Sequence, residues 1–240
     1  MDHLLESLNP PQREAVQHGE GPLLILAGPG SGKTRVITHR IAHLLAHGVS
    51  DHQILALTFT NKAADEMKRR VALLAPGATV WLSTFHRFCA RLLRQYASLV
   101  GLHENYTIYD TDDSQRALKQ TLETLDLELS HFTPERIHSA ISWAKNQLIL
   151  PDQDQPKAGN PLGHIVGQVY PAYQKRLLDS SAVDFDDLLL HVATLLQESA
   201  EVRERLDARY RFILVDEYQD TNFAQYMIVR ALSRDFPNLA

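Results

Sequence analysis

The sequence predicts an α/β fold, a parallel sheet with flanking helices, carrying a mostly helical insert. Three observations lead there. Short apolar runs alternate with helical patterns along the first third of the chain. Helical periodicity then dominates from Phe85 to Leu206, and one more apolar run returns at Phe212-Ile213-Leu214-Val215. Strands alternating with helices imply parallel βαβ units.

The elements follow in order. Leu23–Leu26 reads as a strand, and Lys33–Ala46 as a helix with Val36, Ile37, Ile41, Leu44 and Leu45 on one face, ended by Gly48. Ile54–Phe59 is a second strand, Ala63–Leu74 a helix stopped before Pro76-Gly77, and Thr79–Ser83 a third strand. In the middle, Phe88/Leu92/Leu93/Tyr96, Leu118/Leu122/Leu125 and Leu188/Val192/Leu195/Leu196 are spaced for helices, and Pro151–Pro161 reads as a polar loop. Phe212–Val215 is the fourth strand and Phe223–Leu232 a closing helix. The expected division is an α/β domain over 1–89 plus 206–240 and a helical insert over 90–205.

Bulk properties narrow the class. A chain of 240 residues can bury a real core. No apolar run approaches the roughly 20 residues of a membrane helix, so no membrane association is expected. The start, Met1-Asp2-His3-Leu4-Leu5-Glu6, has no basic segment of a secretory signal, and the single cysteine, Cys89, suits a reducing compartment; a cytoplasmic location is expected. A net charge of −5 means that any nucleic-acid site is a local groove and not a general basic field.

Residues 27–34 read Ala-Gly-Pro-Gly-Ser-Gly-Lys-Thr, directly after the apolar run at 23–26. This is the phosphate-loop pattern G-x-x-x-x-G-K-[ST], and strand before and helix after are its confirming context. Gly28, Gly30 and Gly32, with Pro29 and Ser31 between them, let the backbone turn its N–H groups toward an anion. The helix beginning at Lys33 adds its positive dipole end, the Lys33 ammonium suits β/γ-phosphates, and the Thr34 hydroxyl suits Mg²⁺. Val215-Asp216-Glu217 then ends a strand with two carboxylates. A phosphoryl-transferring enzyme needs one carboxylate for the metal shell and a base or orienting group for the attacking water; Asp216 fits the first role and Glu217 the second. Asn61-Lys62-Ala63-Ala64 lacks the carboxylate of a guanine-reading Asn-Lys-x-Asp.

With these residues placed, the chain resembles the N-terminal part of UvrD/Rep/PcrA-type superfamily 1 DNA helicases, over nearly its whole length. Leu8-Asn9-Pro10-Pro11-Gln12-Arg13-Glu14-Ala15 resembles the Q motif, whose glutamine reads adenine, here Gln12. The arginine after the phosphate loop, which packs on adenine in the family, is Arg35. Leu57-Thr58-Phe59-Thr60-Asn61-Lys62-Ala63-Ala64 resembles motif Ia, and Ser83-Thr84-Phe85-His86 the next DNA-contacting motif. Val183-Asp184-Phe185-Asp186-Asp187-Leu188-Leu189 resembles the segment returning from the helical insert, and Val215–Asn222 resembles motif II.

The resemblance implies a P-loop NTPase of RecA-like fold using ATP and Mg²⁺. Its expected partners are single-stranded DNA and 3′-tailed duplex DNA, in 3′→5′ travel serving repair or replication. Phe59, Thr60, Asn61, Thr84, Phe85 and His86 would line the DNA path. A ring such as Phe59 can stack a base for roughly 1–3 kcal/mol, and the polar residues can meet phosphates. Taken alone, Phe59 is the apolar end of a strand and reads as core. The sequence is expected to stop before the motif III strand, leaving a gap or an exposed edge in the sheet. A different reading is a nucleotide-responsive binding module without unwinding activity.

Other features read as structural. His39, His43 and His47 recur every four residues, away from the face of Val36, Ile41 and Leu44, with no carboxylate or cysteine to complete a metal set. The clusters Asp110-Thr111-Asp112-Asp113 and Asp184-Phe185-Asp186-Asp187 each precede a helix and read as N-caps. Cys89, Trp81 and Trp143 read as packing residues.

Overall fold

The computed structural model describes residues 3–28, 30–125, 127, 132–153 and 160–240. Pro29 and the centre of the expected 151–161 loop lie outside the described residues. In chain order the elements are α1 (His3–Glu6), α2 (Pro10–Gln17), α3 (Lys33–Ala46), β1 (Ile54–Thr58), α4 (Asn61–Leu74), β2 (Trp81–Thr84), α5 (Phe85–Gln95), β3 (Thr107–Ile108), α6 (Thr111–Leu125), α7 (Pro134–Asn146), α8 (Pro161–Asp179), β4 (Ala182–Val183), α9 (Phe185–Glu198), α10 (Ala200–Arg209), β5 (Phe212–Val215) and α11 (Phe223–Leu232). The chain forms two compact units. One combines the chain up to Phe88 with Ser199–Thr221 and Val229–Ala240; the other combines Cys89–Glu198 with Asn222–Ile228.

In the first unit the sheet order is β2-β1-β5, all parallel. The central strand, Ile-Leu-Ala-Leu-Thr, is buried along its whole length, as a near-continuous apolar run covered on both faces should be. Thr58 aligns with Thr84, and Leu57 with Val215, so the carboxyl ends of all three strands share one rim. Ile37, Ile41 and Leu44 of α3 and Met67 and Val71 of α4 close over Ile54, Ala56, Leu82 and Leu214. Each of the branched or longer side chains contributes about 1.5–3 kcal/mol through burial. Leu8, Ala15 and Val16 seat the N-terminal helices against Val36.

Three expectations change here. Leu23–Leu26 forms no strand: Leu24 and Leu26 are 70% and 86% exposed. The edge of β5 is taken instead by the segment ending at Ala240. Ile213 N donates to Asn238 O (3.0 Å), Val215 N to Ala240 O (2.7 Å) and Ala240 N to Ile213 O (2.9 Å), while Leu23 N reaches Leu239 O (2.8 Å). The buried Asp207 carboxylate fixes this segment by accepting from the N–H groups of Arg234, Asp235 and Phe236 at 3.1, 2.7 and 3.3 Å. A cavity of about 510 Å³ is lined by Pro22–Leu26 and by Val215–Gln219, Leu239 and Ala240. Second, β2 begins at Trp81 and not at Thr79, because Thr79 N and Oγ1 are both held by the Asp51 carboxylate. Third, His39 is buried, its Nδ1 2.8 Å from Arg35 O, so the histidine row does not lie wholly off the apolar face of α3.

The second unit is mostly helical. Leu118 and Leu122 of α6, Ile137 and Ile141 of α7 and Val166, Val169, Tyr170, Tyr173 and Leu177 of α8 form its core, beside the short parallel pair β3–β4. The aspartate clusters cap helices as expected: Asp110 Oδ1 accepts from Asp113 N (2.9 Å), and Asp184 Oδ1 from Asp187 N (2.8 Å). The second cluster does more. Asp184 and Asp187 hold the fully buried Lys145 ammonium at 2.7 Å each, with Tyr173 OH donating to Asp184 (3.0 Å) and Gln174 Nε2 to Asp187 (3.0 Å). Trp143, expected to pack, is 62% exposed on α7, while Cys89 is buried as expected. Among the described residues no helix is long and apolar enough to cross a membrane.

Candidate nucleotide site and nucleic-acid rim

The phosphate loop is shaped by backbone that only glycine adopts readily. Gly30 and Gly32 have φ of +73° and +91°, and Gly32 stands directly before the first turn of α3. A Cβ on Gly32 would lie 3.0 Å from Gln12 Nε2. Ser31 Oγ donates to Gly28 O (2.6 Å), closing the loop, and Lys33 Nζ rests on Ala27 O (3.3 Å). A cavity of about 640 Å³ is lined by Gly30, Gly32, Lys33, Thr34 and Arg35 on one side and Glu217 and Gln219 on the other.

Gln12 is tied into this loop from outside. Its Oε1 accepts from Asn9 N (3.1 Å), completing a reciprocal cap at the start of α2, and its Nε2 donates to Ser31 O (3.0 Å). The helix behind it is held by Arg40 of α3. That buried guanidinium donates to the carbonyls of Ala15, Val16, His18 and Gly19, satisfying groups that the end of α2 leaves open. Burial lowers the Arg40 pKa to about 10, which leaves it charged at neutral pH. Nothing in the sequence singled out Arg40, nor Arg70 of α4, which also lines the cavity of the glycine loop.

Asp216 continues β5: its N donates to Leu57 O at 3.0 Å. Its side chain is 5% exposed, and Oδ1 has no hydrogen-bond partner among the described residues. Burial first, and the neighbouring Glu217 carboxylate second, hold its pKa above the usual carboxylate value; Lys33 opposes them. An orphaned buried carboxylate oxygen that lines a cavity with Lys33 suits a hard divalent cation, and with the hydroxyl of Thr34 next in the chain the donor set fits Mg²⁺. Glu217 has φ of +53°, a strained conformation for a residue with a side chain, and Gln219 Nε2 donates to its Oε2 at 2.6 Å.

The residues expected along DNA occupy the ends of β1 and β2, on the same sheet rim as Asp216. Phe59 is half-buried with its ring 5.8 Å from that of Phe85, tilted by 53°. Phe85 itself is only 1% exposed, so it supports Phe59 from below and offers no face of its own. Thr60 Oγ1 caps α4 by accepting from Ala63 N (3.1 Å), and the buried Thr84 Oγ1 accepts from Arg87 N (3.3 Å). Asn61 is exposed and His86 partly so.

A family model described as the UvrD/REP helicase N-terminal domain matches residues 8–240. The chain belongs to that family. It is 47% identical to the ATP-dependent DNA helicase PcrA of Bacillus subtilis over 241 residues, covering 99% of this chain and 33% of that protein. It is 48% identical to the ATP-dependent DNA helicase UvrD1 of Mycobacterium tuberculosis over 238 residues, 96% of this chain and 31% of the relative. Against PcrA of Staphylococcus aureus the identity is 45% over 242 residues, all of this chain and 33% of the relative. The chain therefore spans about a third of the length of these UvrD/REP relatives.

Proposed function

We propose that this chain is the ATP-binding and ATP-hydrolysing portion of a 3′→5′ single-stranded-DNA-translocating helicase acting in DNA repair or replication in the cytoplasm. The observation that carries the reading is the buried Asp216 oxygen at the end of β5, unpartnered among the described residues, in a cavity lined also by Lys33 and Glu217, two residues that in turn line the cavity of the glycine loop. The first unit is the nucleotide-binding half and the second is the helical insert. The names of the relatives support ATP use and DNA as substrate; the direction of travel comes from the family resemblance.

In this reading the loop N–H groups and Lys33 take the triphosphate, leaving Ala27 O, and Gln12 and Arg35 take the adenine. Thr34 and Asp216 would hold Mg²⁺, which when bound neutralises phosphate charge. Glu217 orients the water for in-line attack and takes up its proton. Phe59 stacks a base at the rim, with Asn61, Thr60 and His86 toward phosphates, while Thr84, expected beside them, is buried and caps the following helix.

A titration of the chain with MgATP, in wild type and Lys33→Ala, tests the reading. Lys33→Ala should lose most of the affinity, because a buried triphosphate then lacks its mobile cation. Equal affinity in the two proteins refutes the site. Turnover with and without single-stranded DNA then separates a hydrolysing unit from a binding module.

A further inference from the structure

Helix α2 is only eight residues long, and its two ends are held by different means. At its start Asn9 and Gln12 cap one another, and Arg13 Nε donates to Leu8 O at 2.8 Å. At its end the backbone leaves the helix at His18, with ψ of 126°, and the last carbonyls lose their intrahelical donors. Arg40 supplies donors in their place. Its Nη1 donates to Ala15 O (3.2 Å) and His18 O, with Val16 O at 3.5 Å, and its Nη2 donates to Gly19 O (3.2 Å). Arg40 belongs to the same helix that opens at Lys33 and stands about two turns behind the phosphate loop. The far end of α2 is thus tied to the helix that carries the loop.

Gln12 lies between these two ends. Its Nε2 spends one hydrogen on Ser31 O and its Oε1 one lone pair on Asn9 N, so each atom keeps one hydrogen-bonding position. An adenine edge offers a donor at N6 beside an acceptor at N7, and an amide in one orientation meets both; guanine offers two acceptors there. Base selection therefore depends on which way the amide faces. That orientation needs Asn9 and Ser31 in reach at once, the first before α2 and the second in the loop. The apolar seat of Leu8, Ala15 and Val16 against Val36 keeps α2 on α3 but, being non-directional, leaves it free to slide and turn. Arg40 removes that freedom, because directional bonds to a run of carbonyls fix both height and rotation.

We propose that Arg40 is a positioning residue for base selection: by closing the open end of α2 it holds the Gln12 amide at the height and angle that suit adenine. The proposal rests on Gln12 reading adenine; Arg40 itself, 1% exposed, acts only through α2. Arg40→Met keeps an unbranched apolar stem and removes every donor, so α2 stays seated while its register loosens. The grip on phosphate belongs to the loop and Lys33 and is left intact. Arg40→Lys returns three donors from one point in place of a planar fork, a partial repair. Because Arg40 acts through Gln12, its substitution costs nothing further once Gln12 has lost its amide.

Calorimetric titration of the chain with MgATP, MgGTP and magnesium tripolyphosphate separates base from phosphate. Wild type should prefer ATP over GTP by about tenfold, the effect of one hydrogen bond to the base, and Gln12→Ala should abolish the preference. Arg40→Met should cut it to about twofold and Arg40→Lys to about fivefold, with tripolyphosphate affinity within about twofold of wild type in both. Adding Arg40→Met to Gln12→Ala should leave MgATP affinity within about twofold of Gln12→Ala alone, which a general loosening of the fold would not do. Equal loss of ATP and tripolyphosphate affinity in Arg40→Met overturns the proposal. Where Arg40→Met does not fold, a full ATP preference in Arg40→Lys has the same force. Wild type without a preference, unmoved by Gln12→Ala, refutes the adenine reading and the proposal with it; a preference that Gln12→Ala removes and Arg40→Met leaves whole refutes the proposal alone.

Discussion

Gly32→Ala isolates the geometry of the phosphate loop. The backbone there has φ of +91°, and the added Cβ would sit 3.0 Å from Gln12 Nε2. A residue with a Cβ pays roughly 1–2 kcal/mol for the left-handed conformation. The Gln12 amide can swing aside, but doing so gives up its hydrogen bond to Ser31 O, worth about 1 kcal/mol. Together these come to about 2–3 kcal/mol, or roughly 30- to 150-fold in affinity, provided that the loop relaxes without ligand and must be bent back to bind. Isothermal titration with MgATP measures it. Gly77→Ala supplies the control, since Gly77 has φ of +86° with open space around it and lies outside the loop: it should lower the unfolding temperature and leave affinity alone. A Gly32→Ala affinity within threefold of wild type would refute the claim that this backbone shape is what binds phosphate.

Phe59→Ala should weaken single-stranded DNA binding by about 1–3 kcal/mol per stacked base while sparing MgATP affinity; Phe85→Ala should instead cost about 3–5 kcal/mol of stability. Fluorescence anisotropy and thermal melts separate the two, and a Phe59→Ala protein that binds DNA normally but unfolds early would reverse their roles. Asp216→Asn should raise the melting temperature at pH 7. The Asp216 acid is held above its usual value by burial and by Glu217, so its ionised form is disfavoured in the fold, and stability falls as pH rises from the unfolded value through the raised one. The amide removes that fall and also the dependence of MgATP binding on Mg²⁺; a lower melting temperature for Asp216→Asn would contradict the assigned burial cost.

How far the sequence was legible depends on whether the deciding interaction is local. Helix α3 was readable to the residue, because a glycine loop precedes it, an apolar stripe runs along it and Gly48, with φ of +87°, ends it. Phe212–Val215 was readable because four apolar residues before two carboxylates leave few alternatives. Leu23–Leu26 is just as apolar, yet composition cannot say whether a neighbour supplies the hydrogen bonds, and here, among the described residues, only Leu23 N of the four finds a backbone acceptor. Arg40 was invisible for a similar reason: an arginine on a helix reads as solvated until the open carbonyls of α2 are brought to it. Asp184 and Asp187 were read as caps, which is the local half of their role; the buried lysine they hold comes from a helix 39 residues earlier than Asp184. At the site, the phosphate loop and acidic pair were legible from residue types alone. Gln12 and the rim residues came through family resemblance, while Arg70, which lines the cavity beside Lys33 and Glu217, carried no signal.

The sheet order has a consequence for how this chain is made. β1 and β2 are near neighbours in sequence and can pair early, but the other side of β1 is covered only by β5, after residues 85–211 have been synthesised. Throughout that interval β1, which ends buried along its whole length, has an open ladder edge, which invites pairing with another nascent chain. The helical unit, rich in contacts between successive helices, gains its own core in the meantime. Expression at high ribosome loading should therefore favour aggregates nucleated at Ile54–Thr58, and slowing elongation downstream of Thr84 should worsen them.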